Sequence, residues 1–423
     1  YGRIDEEFLK LPVPAVVTPM RDHQRYYPVR NEDGSLMPYF LTVRNGGTKA
    51  IHNVQIGNER VLRARLDDAK FFFENDRKKS LEGHREDLTR INYQEGMGTM
   101  LDKADRLQKL SDFICDGWNL SADEKADAER AAYLSKSDLA TGMVTEFTEL
   151  QGEMGKEYAL LDGEKKNVAQ AIFEQYMPRF AGDILPQESI GRVLSMADKL
   201  DNLAATFLRG LIPTGSQDPF ALRRQTIGAV NILTDGGIHW DIREGIRKAL
   251  ELLPGEKEAK ETALGQIEEF FRQRIKAIML DEGIAYDIID AVLAGPVDDI
   301  EALFLKARAM AESQLKDETD LRQAVTRLAN ITKDKEGGAV DPSLFEVEYE
   351  KNLQAALDEV KAEVLPLYKE YQYGKALASL KKLTAPINDY LDNVMVMVDD
   401  EKVKANRVSQ LISALDLFRA WGD

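Results

Sequence analysis

Asp198 lies in the middle of SMADKLDNL, residues 195–203, with Leu194 four residues before it and Asn202 four after. On a helix that spacing turns the carboxylate toward the apolar side rather than away from it. A carboxylate so placed can ligate a hard divalent cation that activates water. Such a site needs further imidazole and oxygen ligands around an open position. EFTELQGEMGKEYA, residues 146–159, offers it no histidine. Asp198 is therefore expected to be a buried hydrogen-bonding carboxylate, with no metal.

The other candidates are basic. Arg223 and Arg224 end the stretch PTGSQDPFALRR, which lacks the G-x-x-x-x-G-K-[ST] order of a phosphate-binding loop. It reads as a helix start, with Asp218 as N-cap and Pro219 at the first helical position. Arginines one turn in either pair with acids or contact phosphate. Arg60 and Arg63, in NERVLRARLDDAKFFFEND, carry the same two readings, and Glu59 is an i,i+4 partner for Arg63. Lys402, Lys404, Asn406 and Arg407 open DDEKVKANRVSQLISALDLF, where Val408, Leu411, Ile412 and Leu415 form the stripe that must face a core. Exposed cations and an amide at a helix start suit RNA, because cations neutralise phosphate and orphan N–H groups attract it. The competing reading is a solvated face balanced by Asp399, Asp400 and Glu401.

His23, His52, His84 and His239 are scattered without a ligand partner at helical spacing. His84 reads as a solvated helix residue. His23, on a strand of alternating polar and aromatic residues, is either structural or in contact with a ligand, and the structural reading is favoured. GMGTMLDK lacks the third glycine of a dinucleotide fingerprint, and no Ser-His-Asp or Cys-His arrangement carries a signature. The chain shows no catalytic constellation.

The elements that must position these residues are mostly helices. RYYPV and MPYFLTV flank the turn RNEDGS, and Met37, Tyr39, Leu41 and Val43 alternate at period two, which predicts a β-hairpin. Leu62, Leu66, Ala69 and Phe73 then recur at helical spacing, completing a small α+β unit. From about residue 85 the helical period persists, broken only at Pro/Gly clusters such as AGDILPQE, LIPTGSQDP and KEGGAVDP. Ile190, Val193, Leu194 and Ala197 form the apolar stripe of a helix from Glu188 to Gly210. KDKEGG has the composition of a linker. After it, Leu353, Leu357, Val360, Val364 and Leu367 make a stripe that Pro366 should kink or end.

With 423 residues the chain has room for two to four domains, and 43% hydrophobic with 30% charged residues is a globular balance. A formal charge of −17 argues against a protein that coats nucleic acid through bulk electrostatics, although an acidic body also repels polyanions from all but one receptive surface. One cysteine, Cys115, precludes an internal disulfide and fits the cytosol. No apolar run approaches the ~20 residues of a membrane span. The opening YGRIDEEFLK has neither an initiator Met nor a signal sequence and reads as the interior of a longer protein.

SMADKLDNL, together with the Leu-x-x-x-x-Gly-Lys frame of residues 150–156, resembles an HD-type metal hydrolase that has lost its metal site, which makes Asp198 a vestigial ligand position. The resemblance implies an earlier histidine and an adjacent His-Asp pair where Gln151 and Gly152 stand, and neither an amide nor a hydrogen replaces an imidazole and a carboxylate as metal ligands. Longer stretches carry a more specific resemblance. HQRYYPVRNEDGSLMPYFLTVRNG, GNERVLRARLDDAKFFF, GLIPTGSQDPFALRRQTIG, YDIIDAVLA, RLANITKD and PINDYLDNVMVMVDDEKVKANRVSQL, in this order, resemble the C-terminal portion of bacterial glycyl-tRNA synthetase β subunits.

That resemblance implies a mainly α chain of four parts. Residues 1–80 would end an α+β domain similar to the B3/B4 region of phenylalanyl-tRNA synthetase. Residues 81–235 would form the degenerate HD-type helical domain, 236–338 a helical linker domain, and 339–423 a helical anticodon-binding domain similar to that of arginyl-tRNA synthetase. It further implies a cytoplasmic assembly of two α and two β chains with no membrane. The α subunit would use ATP and magnesium to activate glycine, while this chain, itself without cofactor or catalytic residue, binds tRNA(Gly). Arg60, Arg63, Arg223 and Arg224 are then the expected acceptor-end contacts, and Lys402, Lys404, Asn406 and Arg407 the expected anticodon contacts. Two other readings stay open: a metal-dependent HD phosphohydrolase, for which only Asp198 speaks, and a structural subunit that never touches RNA.

Overall fold

A computed structural model describes residues 1–215, 217–313 and 319–421 of the chain. They fall into two compact units, Tyr1–Ile232 with Arg243–Ile267, and Leu233–Ile242 with Glu268–Asp423.

The first unit opens with a three-stranded antiparallel sheet of order β1-β3-β2, formed by β1 (Gly2–Arg3), β2 (Tyr27–Arg30) and β3 (Leu36–Leu41). The expected hairpin is present, with Tyr27 opposite Leu41 and Gly34 taking φ +86° in its turn. Its fully buried residue lies off the alternating set. Phe40 is fully buried and stacks on Tyr26 at 4.7 Å, while Leu41 is 50% and Val43 84% exposed. Apolar residues occupy both faces of β3, so period two alone does not choose between them. His23 lies in a π-helical turn, Pro19–His23, rather than on a strand, and pairs with Glu149.

Helix Ile51–Asp76 buries Leu62, Leu66 and Ala69 as the spacing requires. Its last residue is buried too. Asp76 accepts the N–H groups of Gly142 at 2.8 Å and Met143 at 3.0 Å and the Tyr158 hydroxyl at 2.8 Å, so one carboxylate satisfies two orphan donors at the start of helix Gly142–Glu146. His84 is buried, against expectation. Its Nε2 meets the Asp76 carbonyl at 2.9 Å, because the short helix Leu81–Arg85 folds back on the end of the long one.

Helix Ser189–Leu208 is the centre of this unit and packs against helices Met100–Gly117, Ala122–Leu134 and Lys166–Glu174. Most of its residues are buried, polar ones included.

In the second unit, helices Glu348–Lys369, Tyr373–Leu380, Thr384–Asn393 and Glu401–Arg419 enclose one core. Leu353, Leu357, Val360 and Val364 all enter it. Pro366 does not end its helix, which runs on to Lys369; the proline sits in the last turn, where one lost hydrogen bond is tolerated. Ala302, Ala324 and Leu328 join the same core, so it takes in helix Thr319–Thr332, upstream of residue 339. Gly338 is tied down as well, its N–H donating to Ser409 Oγ at 2.9 Å. Among the described residues, no helix is long and apolar enough to cross a membrane.

Candidate functional site

Asp198 is 7% exposed at the middle of helix Ser189–Leu208. Its Oδ1 lies 3.1 Å from Nζ of Lys103 and 3.1 Å from Nζ of Lys136. Asp201 binds Lys103 at 2.8 Å and Arg106 Nε at 2.6 Å. Lys103 also donates to Asn202 Oδ1 at 2.8 Å, an oxygen that accepts the Tyr93 hydroxyl as well. The Lys136 ammonium stands 4.0 Å from the centre of the Tyr176 ring. Lys199 donates to the Met177 carbonyl and to Ser195 Oγ, both at 2.6 Å.

Burial by itself would raise the Asp198 carboxyl, yet Lys103, Lys136 and Lys199 outweigh it and hold the group well below the usual carboxylate range. Burial lowers Lys103, but Asp198 and Asp201 more than compensate. For Lys199 burial wins, and its ammonium is pulled down to about 7.

These residues do not fit the metal that the HD resemblance implies. A divalent ion beside Asp198 would meet two ammonium groups instead of lone pairs. Gln151 is exposed, and Gly152 has φ +81°. The Gly152 N–H donates to Asp138 Oδ2 at 2.6 Å, and a Cβ there would fall 2.8 Å from Tyr176 Cδ2. Backbone and space both exclude an aspartate at 152.

Of the arginines, Arg60 is exposed on helix Ile51–Asp76. Arg63 reaches Asp5 at 2.6 Å rather than Glu59, which instead accepts the Arg3 N–H at 2.9 Å and the Gln55 amide at 3.1 Å. Helix Leu222–Gly236 starts later than expected, since Ala221 takes a left-handed φ of +52°. Asp218 still caps it, accepting from Leu222 N at 2.8 Å and Arg223 N at 2.9 Å. Arg223 donates to the Gly215 carbonyl at 2.7 Å, whereas Arg224 is exposed. These four arginines therefore sit on two separate helices.

At the C-terminal helix half of the expected basic surface is interior. Val408, Leu411, Ile412 and Leu415 are buried as the stripe requires, but so are Asn406 and Arg407. Arg407 Nε donates to Glu350 Oε1 at 2.9 Å, and its other nitrogens to Glu346 Oε2 at 2.8 Å and the Met395 carbonyl at 3.0 Å. Asn406 brackets Asp341, accepting its N–H at 2.7 Å and donating to its carbonyl at 3.0 Å. The helix start is not open to phosphate either, since Asp400 Oδ1 takes the N–H groups of Lys402 at 2.9 Å and Val403 at 3.2 Å. Lys402 remains exposed, and half-buried Lys404 pairs with Glu401 at 3.3 Å. Asn406 and Arg407 lie off the apolar stripe yet are buried, because a helix whose mates surround it buries more than that stripe.

Lys103, Arg106 and Lys136 escaped the sequence reading. Lys103 did leave a signal: with Met100, Leu107 and Leu110 it falls on one helical stripe, and a lysine there announces a buried partner. Lys136 left none.

A family model described as the glycyl-tRNA synthetase beta subunit matches residues 1–294, and one described as the DALR anticodon binding domain matches residues 321–419. Among curated proteins, the glycine–tRNA ligase beta subunit of Clostridioides difficile is 45% identical over 417 residues, covering 98% of this chain and 60% of that protein. That of Bacillus subtilis is 40% identical over 424 residues, covering 100% and 61%. The chain spans about 60% of the length of these relatives.

Proposed function

Because the chain belongs to the glycyl-tRNA synthetase beta subunit family, we propose that it is the tRNA-recognition part of a cytoplasmic glycine–tRNA ligase of two α and two β subunits. The α subunit uses ATP and magnesium to activate and transfer glycine. This chain supplies no cofactor and no catalytic side chain. The second unit binds the anticodon end of tRNA(Gly), and the first unit its acceptor end. The observation that carries the reading is the match of an anticodon-binding model to residues 321–419, whose helices share one core. Of the expected contacts, Lys402 and Lys404 reach the surface on the anticodon side and Arg60 and Arg224 on the acceptor side, with Arg63 and Arg223 able to exchange their present partners for phosphate. The lysines around Asp198 support leaving metal-dependent hydrolysis out of the account.

A second reading has its own support: a structural subunit without RNA contact fits the charge of −17 and the internal use of Asn406 and Arg407. Footprinting of tRNA(Gly) on the assembled enzyme separates the two. Protection of both the anticodon loop and the acceptor end is expected. Protection of neither, with aminoacylation intact, would establish the structural reading.

A further inference from the structure

VMVMVDD, residues 394–400, joins helix Thr384–Asn393 to helix Glu401–Arg419 and alternates between inside and outside. Val394 and Val396 are buried in the core of the second unit, whereas Met395 and Met397 are 73% and 46% exposed. The segment is apolar on both sides, and thioethers left in water add little to the stability of the fold. The backbone beneath them is fixed. Arg407 Nη1 donates to the Met395 carbonyl at 3.0 Å and is itself held by Glu350 and Glu346, while Asp400 caps the helix that follows. Two flexible, polarizable side chains on a pinned backbone make a surface that adapts to a planar ring.

The charge that touches this pair is positive. Lys335 Nζ lies 3.8 Å from Met397 Sδ and donates to the Ile331 carbonyl at 2.5 Å. Of the nearby acids, Asp392 is engaged by Arg327 at 2.7 Å, Asp400 by the helix start and Glu401 by Lys404 at 3.3 Å. Exposed Asp334, Glu336 and Asp399 balance exposed Lys333, Lys335 and Lys402, so this is not the broad basic surface that a duplex backbone needs. Ring-sized apolar contact beside a single ammonium fits an unstacked nucleotide, its base on the thioethers and its phosphate on the lysine. An apolar protein surface laid over the same spot would have to bury the Lys335 ammonium.

We infer that Met395 and Met397 are the platform on which unstacked bases of the tRNA anticodon loop rest, with Lys335 on the adjoining phosphate. The inference rests on reading the second unit as the anticodon-binding part, and it adds contacts that carry no charge.

The test uses hydrogen peroxide, which converts an accessible thioether to its sulfoxide, located by mass spectrometry. In the assembled enzyme without tRNA, Met395 and Met397 should oxidise while buried Met143 and Met196 resist. Saturating tRNA(Gly) should slow oxidation of both by about fivefold or more, and a minihelix of the acceptor arm alone should not. Met395→Ala with Met397→Ala should raise the Kd for tRNA(Gly) by roughly fivefold or more at an unchanged salt slope, because a thioether contact releases no counterions. Lys335→Gln should lower that slope by about 0.7. Resistance of both methionines before tRNA is added would assign the surface to a protein partner and overturn the proposal. Unslowed oxidation in an enzyme that binds tRNA(Gly), equal slowing by the minihelix, or native affinity in the double variant would overturn it while leaving tRNA recognition standing. If the double variant does not fold, protection of the native methionines decides alone. Absence of tRNA(Gly) binding by the native enzyme would overturn the recognition reading and this proposal with it.

Discussion

At the scale of single residues, a charge belongs where its counter-charge is, and the sequence shows the two ends separately. Asp198 was legible as a buried carboxylate because its helix is strongly periodic. Lys136, 62 residues upstream in a turn, was not, since nothing in its neighbours tells a buried lysine from a solvated one. Lys199 gives this network a measurable pH dependence. Stripped of water and facing Lys136 and Arg224, with Asp198 offsetting only part of this, it has its ammonium lowered to about 7, below the ordinary lysine value of 10.5. Between those values the unfolded chain binds one proton more than the folded chain, so this group makes stability rise as pH climbs. The Tm of the first unit should therefore increase from about pH 7 to 9 more steeply in the native chain than in Lys199→Met. Identical pH profiles would mean that Lys199 does not titrate in this window.

At the scale of elements, the C-terminal helix serves two masters, the core and the surface. Glu350 is fully buried against Arg407. Burial would raise its carboxyl, but the Arg407 guanidinium and the Val347 and Glu346 N–H groups outweigh it and hold it below the usual range. Its stabilisation is thus present above about pH 4.5 and lost as pH falls through the lowered value. Arg407→Ala, which leaves that carboxylate unpaired, should destabilise the second unit by about 3–5 kcal/mol in denaturant unfolding. A loss under about 1 kcal/mol would show the pair to be solvated after all. Lys402 and Lys404 are the residues for testing RNA contact without damage to the fold. Replacing both by glutamine should reduce the salt dependence of tRNA binding by up to about 1.4 in slope, at about 0.7 for each phosphate contact on a single strand. An unchanged slope in the folded variant would remove them from the RNA surface. Helix periods were legible because apolar stripes are local. Which face of β3 is buried, how far the helix runs past Pro366, and which polar residues join a core were not, because partners distant in sequence decide them.

At the scale of the whole molecule, a small N-terminal sheet followed by helices could be read from the change of period along the sequence. The edge of the last core could not, because KDKEGG has a linker's composition whether or not Ser409 ties it down. That edge matters for dissection. Removal of residues from 340 onward would strip Ala302, Ala324 and Leu328 of their core partners, whereas removal from 319 takes helix Thr319–Thr332 with the rest and leaves Ala302 behind. The account assigns tRNA recognition to this chain and glycine activation to another. The most direct measurement follows both at once in the assembled enzyme lacking residues from 319 onward: affinity for tRNA(Gly) and glycine-dependent exchange of pyrophosphate into ATP. The account predicts weakened tRNA binding with exchange nearly unchanged. Native tRNA affinity in the truncated enzyme, or loss of exchange with tRNA binding intact, would contradict it.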